Sequence, residues 1–268
     1  MGLFGPAKMC AMCGGKVGLL GGHKLANGLI CGDCTDQCTP GAKYQFEGMS
    51  PDDVKANMAL AVENIKKGEE LFSATRIFYT GYRHDKPVME VDETHAWFKD
   101  MTNQQGWVYD LDAISNYTMR LDTYQIDKDD KDDYERFKWA FSPEFYTRYP
   151  DLPHVPQGER ISNAMLSLKF MNNELGVTEL DLSLLPNFFT DREDYMAAFD
   201  CCNEFIAFMK ERSMYKNLQR NAPNLYGGGA AVSQSDNMDA LKKMHELLEA
   251  GIITQAEFDA KKKQLLGL

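Results

Sequence analysis

The sequence predicts an α+β protein, on three observations. Two Cys-x2-Cys hooks stand within the first 34 residues, apolar and polar residues alternate in several runs across the centre, and apolar stripes at helical spacing flank that centre and end the chain. They divide the 268 residues into four expected parts: a metal-binding segment at 1–46, a strand-rich domain with a C-terminal helix at 50–217, a flexible linker at 218–235, and a helical hairpin at 236–268.

The hooks are Cys10-Ala-Met-Cys13 and Cys31-Gly-Asp-Cys34, with seventeen residues between them. Each turns tightly enough to aim two sulfurs at one point. Two such hooks at this separation have the spacing of a four-thiolate zinc ribbon. Cys10, Cys13, Cys31 and Cys34 are the expected ligands of one Zn2+. A cage of four thiolates has no open position, so the metal is expected to staple the fold and to catalyse nothing. Cys38 exceeds the ligand count and reads as spare, and His23, between the hooks, reads as a loop histidine.

The central domain opens with a helix. Ser50 is its N-cap and Pro51 its first residue. Val54, Met58, Ala61, Val62 and Ile65 share a face, and Gly68 is expected to end it. Strand signals follow at 71–79, 88–92 and 107–111, rich in aromatic and branched residues. From Ile114 to Asp122, Tyr117, Met119 and Leu121 alternate with Asn116, Thr118 and Arg120. Ala164, Leu166, Leu168 and Phe170 belong to one strand, and Leu180, Leu182 and Leu184 to the next. The turn between them, Asn172-Asn173-Glu174, makes this the clearest antiparallel hairpin of the chain.

A capping box, Thr190-x-x-Glu193, then starts a long helix whose stripe is Tyr195, Phe199, Cys202, Ile206 and Met209. Strands capped by one amphipathic helix predict a small antiparallel barrel or a bent sheet with the helix closing one end. This plan resembles that of pleckstrin-homology-like (PH-like) domains. Between the strands lie an acidic run, Asp127 to Asp133, expected to be a solvated loop, and a short helix at 134–141. Pro143, Pro150, Pro153 and Pro156 are expected to keep the next stretch extended, and Trp139, Phe145, Tyr146 and Tyr149 are the aromatics available there for a partner or for the core.

The stretch ending in Gly227-Gly228-Gly229 and Ser235 has no alternation and no helical period, as a linker should. Beyond it, Leu241, Met244, Leu247 and Leu248 form one apolar face and Gly251 ends that helix. Thr254 and Glu257 cap a second helix carrying Phe258, Leu265 and Leu266. A hairpin of about 30 residues cannot bury enough surface alone, so it is expected to dock on the body, a protein partner or another copy.

Composition narrows the function. The net charge is −11, but residues 1–46 carry four lysines against two aspartates and residues 237–268 five lysines against five acids, which leaves −13 in the centre. An acidic body repels nucleic-acid phosphates and anionic lipid. No run of about 18 apolar residues is present, so no membrane span is expected. The first eight residues lack the apolar stretch of a signal peptide, and Gly2 lacks the Ser or Thr of a myristoylation signal. Paired thiols at metal spacing point to a reducing compartment, the cytoplasm.

Two resemblances extend this reading. The order Cys10-x2-Cys13-Gly14, Lys16, Gly18, Lys24-Leu25, Asn27-Gly28-Leu29-Ile30, Cys31-x2-Cys34 resembles the DUF4428 zinc-ribbon family over about 35 residues. That resemblance implies a structural zinc on the four cysteines, with Asn27-Gly28 at the hairpin turn presenting the second hook. Met238 to Leu266 resembles the SHOCT (short C-terminal domain) family, which implies oligomerisation or partner docking. The centre is similar to strand-rich segments found between these modules in bacterial and phage proteins, through Phe72-Ser-Ala-Thr75, Val91-Asp92-Glu93, Val108-Tyr109 and Asp112-Ala-Ile114.

Other chemistry finds little support. His245-Glu-Leu-Leu-Glu249 has Glu where a zinc protease needs its second His, and the triple glycine is not followed by a Walker Lys-Ser/Thr. Cys201 and Cys202 read as buried thiols, and His84, His95 and His154 as surface or core residues. Asp110 and Asp112 would share a strand face. The expectation is a non-enzymatic, zinc-containing interaction or assembly protein whose tail self-associates or holds a partner, with no nucleic acid and no small-molecule substrate. Two alternatives remain. One is a nucleic-acid-binding regulator using Lys8, Lys16, Lys24 and Lys43, and the other is an enzyme with a site in the central domain.

Overall fold

A computed structural model describes residues 8–18, 22–81, 83–103, 106–127, 129–185, 192–221 and 258. The linker from 222 on, the Thr190 capping box, Gly2 and, apart from Phe258, the expected C-terminal hairpin lie outside them. The chain divides into two compact units, 1–207 and 208–268.

The first unit begins with a hairpin, β1 (Gly22–Leu25) and β2 (Gly28–Cys31), followed by a one-turn helix, α1 (Gly32–Thr35). Two 3-10 turns lead into α2 (Pro51–Glu70). Then come β3 (Arg76–Thr80), β4 (Lys86–Asp92), β5 (Trp97–Asp100), β6 (Val108–Asp110), β7 (Ile114–Gln125), α3 (Lys131–Phe137), α4 (Pro143–Arg148), β8 (Glu159–Phe170), β9 (Glu179–Ser183) and α5 (Arg192–Asn221). α5 starts in the first unit and ends in the second. No helix of the described residues is long and apolar enough to cross a membrane.

The helix α2 starts where the sequence places it. The Ser50 hydroxyl accepts from the Asp53 N–H, and the Asp53 carboxylate accepts from the Ser50 N–H at 2.8 Å, a capping box with Pro51 behind it. Its buried face is the expected one only in part. Val54, Ala61, Asn64 and Gly68 point inward, while Val62 is 65 % and Ile65 39 % exposed. Gly68 does not end the helix. It sits where a Cβ would press on Val108 Cγ2 at 3.0 Å and on the Gly106 carbonyl at 3.2 Å, so it serves close approach to β6. The Lys99 ammonium donates to the Gly68 carbonyl at 2.8 Å, a cation at the helix C-terminus.

The strands form open antiparallel sheets and no barrel. β3-β4-β5-β6 make a four-stranded sheet and β7-β8-β9 a three-stranded one, each in sequence order. The reason lies at β6. The buried Asn64 amide donates to the Val108 carbonyl at 2.8 Å and accepts from the Val108 N–H at 3.0 Å. A helix side chain thus fills the hydrogen bonds a next strand would take, and the 3-10 turn Leu111–Ala113 carries the chain over to β7. β5 escaped the sequence reading because it is four residues long and follows Ala96 at φ 61°.

The expected hairpin is present, with Leu166 opposite Leu182 and Leu168 opposite Leu180. β8 is the middle strand, and Ala164 to Leu168 are buried on both faces, so its alternation does not separate core from solvent. On β7, Met119 is buried and Tyr117 and Leu121 half-buried, while Asn116, Thr118 and Arg120 are exposed, as expected. The sheets meet through aromatic rings. Phe170 stacks on Phe98 and Tyr109 at 6.2 and 5.9 Å. Phe205 of α5 lies edge-on to Phe78 of the first sheet at 5.4 Å and to Tyr117 of the second at 5.9 Å.

Of the aromatics between β7 and β8, Phe137, Phe145 and Tyr149 are buried in the core, Trp139 and Tyr146 are half-buried and Tyr134 is exposed. Phe145 and Tyr149 pack on Phe199 at 4.7 and 5.3 Å, and Trp139 and Phe137 on Tyr195 at 6.0 and 5.8 Å. Pro143 opens α4 and does not extend the chain. The acidic run is part loop and part helix, since Asp130 caps α3 by accepting from the Asp133 N–H at 2.8 Å.

Candidate metal centre

The first hook is a tight knuckle built from backbone bonds. The Cys10 N–H donates to the Gly15 carbonyl at 2.8 Å, and the Gly14 N–H to the Cys10 carbonyl at 3.0 Å. Gly14 has φ 70°, which a residue with a Cβ resists. The second hook is made differently. Cys31 ends β2, and α1 carries Cys34 one turn on. β1 and β2 hold the hooks together, because the Ala11 N–H reaches across to the Leu29 carbonyl at 2.8 Å. The hairpin turn is Ala26-Asn27. Gly28 already pairs with Leu25 and supplies the positive φ, 125°, one position later than the expected Asn27-Gly28 turn.

All four sulfurs lie within 4.8 Å of one another, and Cys13 Sγ is 3.7 Å from Cys31 Sγ. Four thiolates at about 2.3 Å around one ion would stand about 3.8 Å apart, so the donor set fits a single metal ion. Peptide N–H groups point at the sulfurs: Met12 and Cys31 at Cys10 Sγ, at 3.4 and 3.3 Å, and Gly15 at Cys13 Sγ, at 3.4 Å. Such donors spread thiolate charge and orient the ligands. Burial opposes charging Cys10, but the backbone donors outweigh it and bring the thiol down to about 6. Cys34, buried among the other three sulfurs, is pushed far upward. Four such groups cannot all ionise without a cation between them.

The other predicted residues separate from this centre. Cys38 is outside the group. It is buried, its thiol donates to the Cys34 carbonyl at 3.5 Å, and burial raises it to about 11. His23 is on β1 and not in a loop, exposed and packed against Phe46 at 5.3 Å. Cys201 and Cys202 are buried free thiols, and burial raises Cys201 to about 12. Asp110 and Asp112 share no strand face. The Asp110 carboxylate caps the 3-10 turn by accepting from the Asp112 N–H at 2.7 Å.

Sequence reasoning missed one polar pair. Asp92 is fully buried, and its carboxylate accepts from the Ser73, Thr94 and His95 N–H groups at 3.0, 3.0 and 3.1 Å. It also holds His95 Nδ1 at 2.8 Å, and His95 stacks on Trp97 at 4.5 Å. Three backbone donors on one carboxylate mark a clamp for the β4–β5 turn. Asp-x-x-His at a strand end is the signal that could have found it.

The cysteines rest on a small apolar cluster. Cys10, Leu25, Ile30, Cys31, Cys34, Cys38, Ala42 and Phe46 are joined there by Val54 of α2, with Met49 and Met58 packed at its edge. The cluster therefore runs past the cysteine segment into α2. No curated protein matches the chain, and no solved structure does. Two family models match, as the residue patterns led one to expect. The chain is similar to the domain of unknown function DUF4428 over residues 8–57, which take in both hooks and the start of α2, and to the short C-terminal domain, SHOCT, over residues 239–266.

Proposed function

We propose that the chain is a cytoplasmic interaction and assembly protein that catalyses no reaction, held at its N-terminus by one structural Zn2+. Cys10, Cys13, Cys31 and Cys34 hold the ion, and its part is to cross-link two hooks that have little other core. The observation that carries this reading is the mutual approach of four sulfurs to within 4.8 Å, which fills a tetrahedral ion and leaves no position for a substrate. The free thiols are those of a reducing compartment. The body acts as a binding module. Two antiparallel sheets followed by one long helix resemble the general plan of a PH-like domain, which supports that role. The tail, 236–268, mediates oligomerisation or docking to a protein partner. A linker gives it a raised effective concentration at its target.

The test has two readouts. One equivalent of zinc is expected in the purified chain and is lost in Cys10→Ser or Cys34→Ser; a wild-type chain without metal overturns the zinc. Deleting 236–268 is expected to lower the mass in light scattering or to abolish partner capture; if neither changes, the assembly role fails. Salt-sensitive retention on DNA or RNA, lost when the exposed Lys16 and Lys24 are replaced by Glu, would replace this reading with the nucleic-acid one.

A further inference from the structure

The helix α2 has a partly exposed apolar stripe at the edge of its buried face. Met58, Val62 and Ile65 follow at spacings of four and three, with Val62 65 % exposed, Ile65 39 % exposed and Met58 half-buried. Seven residues before Val62 stands Lys55, and seven after it Glu69, both exposed. Seven residues is close to two helical turns, so both charges fall in line with Val62, about 10 Å to either side of it.

We propose that this stripe is a self-association surface, on which α2 of a second copy packs antiparallel about a two-fold axis at Val62. The charge pattern selects the occupant. Lys55 already pairs with Asp52 of its own helix at 2.9 Å. A two-fold at Val62 sets Lys55 of each copy level with Glu69 of the other, so the two charges flanking Val62 are complementary across the axis and can meet twice. A parallel arrangement would set Lys55 against Lys55. The antiparallel one also opposes the two helix dipoles and lays the exposed Val62 side chains together. One helix face is small beside the interface a permanent dimer needs, so the association is reversible and concentration-dependent.

This proposal does not involve residues 236–268, and its failure would leave their proposed role standing. The experiment is sedimentation equilibrium of the full chain over a concentration series. Val62→Glu is expected to weaken association by about tenfold or more, because it buries two like charges at the axis. Lys55→Glu and Glu69→Lys are each expected to weaken it a few-fold, and the double variant to recover the wild-type constant. Glu63→Lys, exposed but off the stripe, serves as the charge control and leaves the constant unchanged. A wild-type chain that stays monomeric, a Val62→Glu chain that associates normally, a double variant without recovery, or a Glu63→Lys effect as large as that of Lys55→Glu would each overturn the proposal.

Discussion

The cysteine segment and the two-sheet body reach order by different means. Around the hooks the buried apolar cluster has nine residues, four of them cysteines, and its strands are four residues long. Such a cluster gives little hydrophobic stabilisation, and four close thiols add repulsion unless a cation offsets it. The body has long β7 and β8 and buried aromatics from both sheets and α5. Each buried Phe there contributes about 1.5–3 kcal/mol. The lesson is one of dependence: the hooks should fail without the metal, and the body should not.

The largest effect expected is from chelation or Cys34→Ser. Amide hydrogen exchange should lose protection across residues 10–46 and keep it in β7 and β8, since structural metal binding is itself folding free energy, on the order of 10 kcal/mol. Loss of protection in both regions would erase the contrast. Next comes Phe205→Ala, which removes the ring between Phe78 and Tyr117 and should cost about 3–5 kcal/mol in urea unfolding without releasing metal.

The two regions touch at Gly41 and Gly176. The Gly41 N–H donates to the Leu175 carbonyl at 3.0 Å, and a Cβ on Gly41 would collide with the Gly176 backbone. Gly41→Ala should therefore loosen the hooks from the body. The measurement is faster metal release to a chelator with nearly unchanged protection in β7 and β8. Unaltered release would mean that the contact is not a coupling point.

Asn64→Leu should cost about 2–4 kcal/mol, since the Val108 N–H and carbonyl would lose both partners inside the protein. The smallest effect concerns acid. Burial resists charging Asp92, but the Ser73 and His95 donors outweigh it and hold its carboxyl below the usual range. Its contribution is then present above about pH 4 and lost as pH falls through the lowered value. Burial raises Asp100 despite its Thr102 and Asn103 donors, so its linkage has the opposite sign, and stability from that group grows as pH falls. Pairing Asp92→Asn with Asp100→Asn in stability-versus-pH profiles should give differences from wild type that slope in opposite directions. Parallel slopes would show that one assignment is wrong.

The chain's short-range grammar was enough to locate the four clustered cysteines, the Ser50 cap, the β8–β9 hairpin and the inward face of β7. These depend on spacing, capping and alternation within a few residues, which any conformation of the neighbours preserves. Contacts between distant segments decided the rest. Gly68 reads as a helix stop until β6 is seen against it, and nothing in the sequence sets Asn64 apart until its amide meets Val108. Trp139, Phe145 and Tyr149 stay open between a partner and the core until Tyr195 and Phe199, some fifty residues on, arrive beneath them. Two open sheets form in place of a barrel for the same reason: an edge is closed by whatever reaches its unpaired amides, and here that was a side chain from α2.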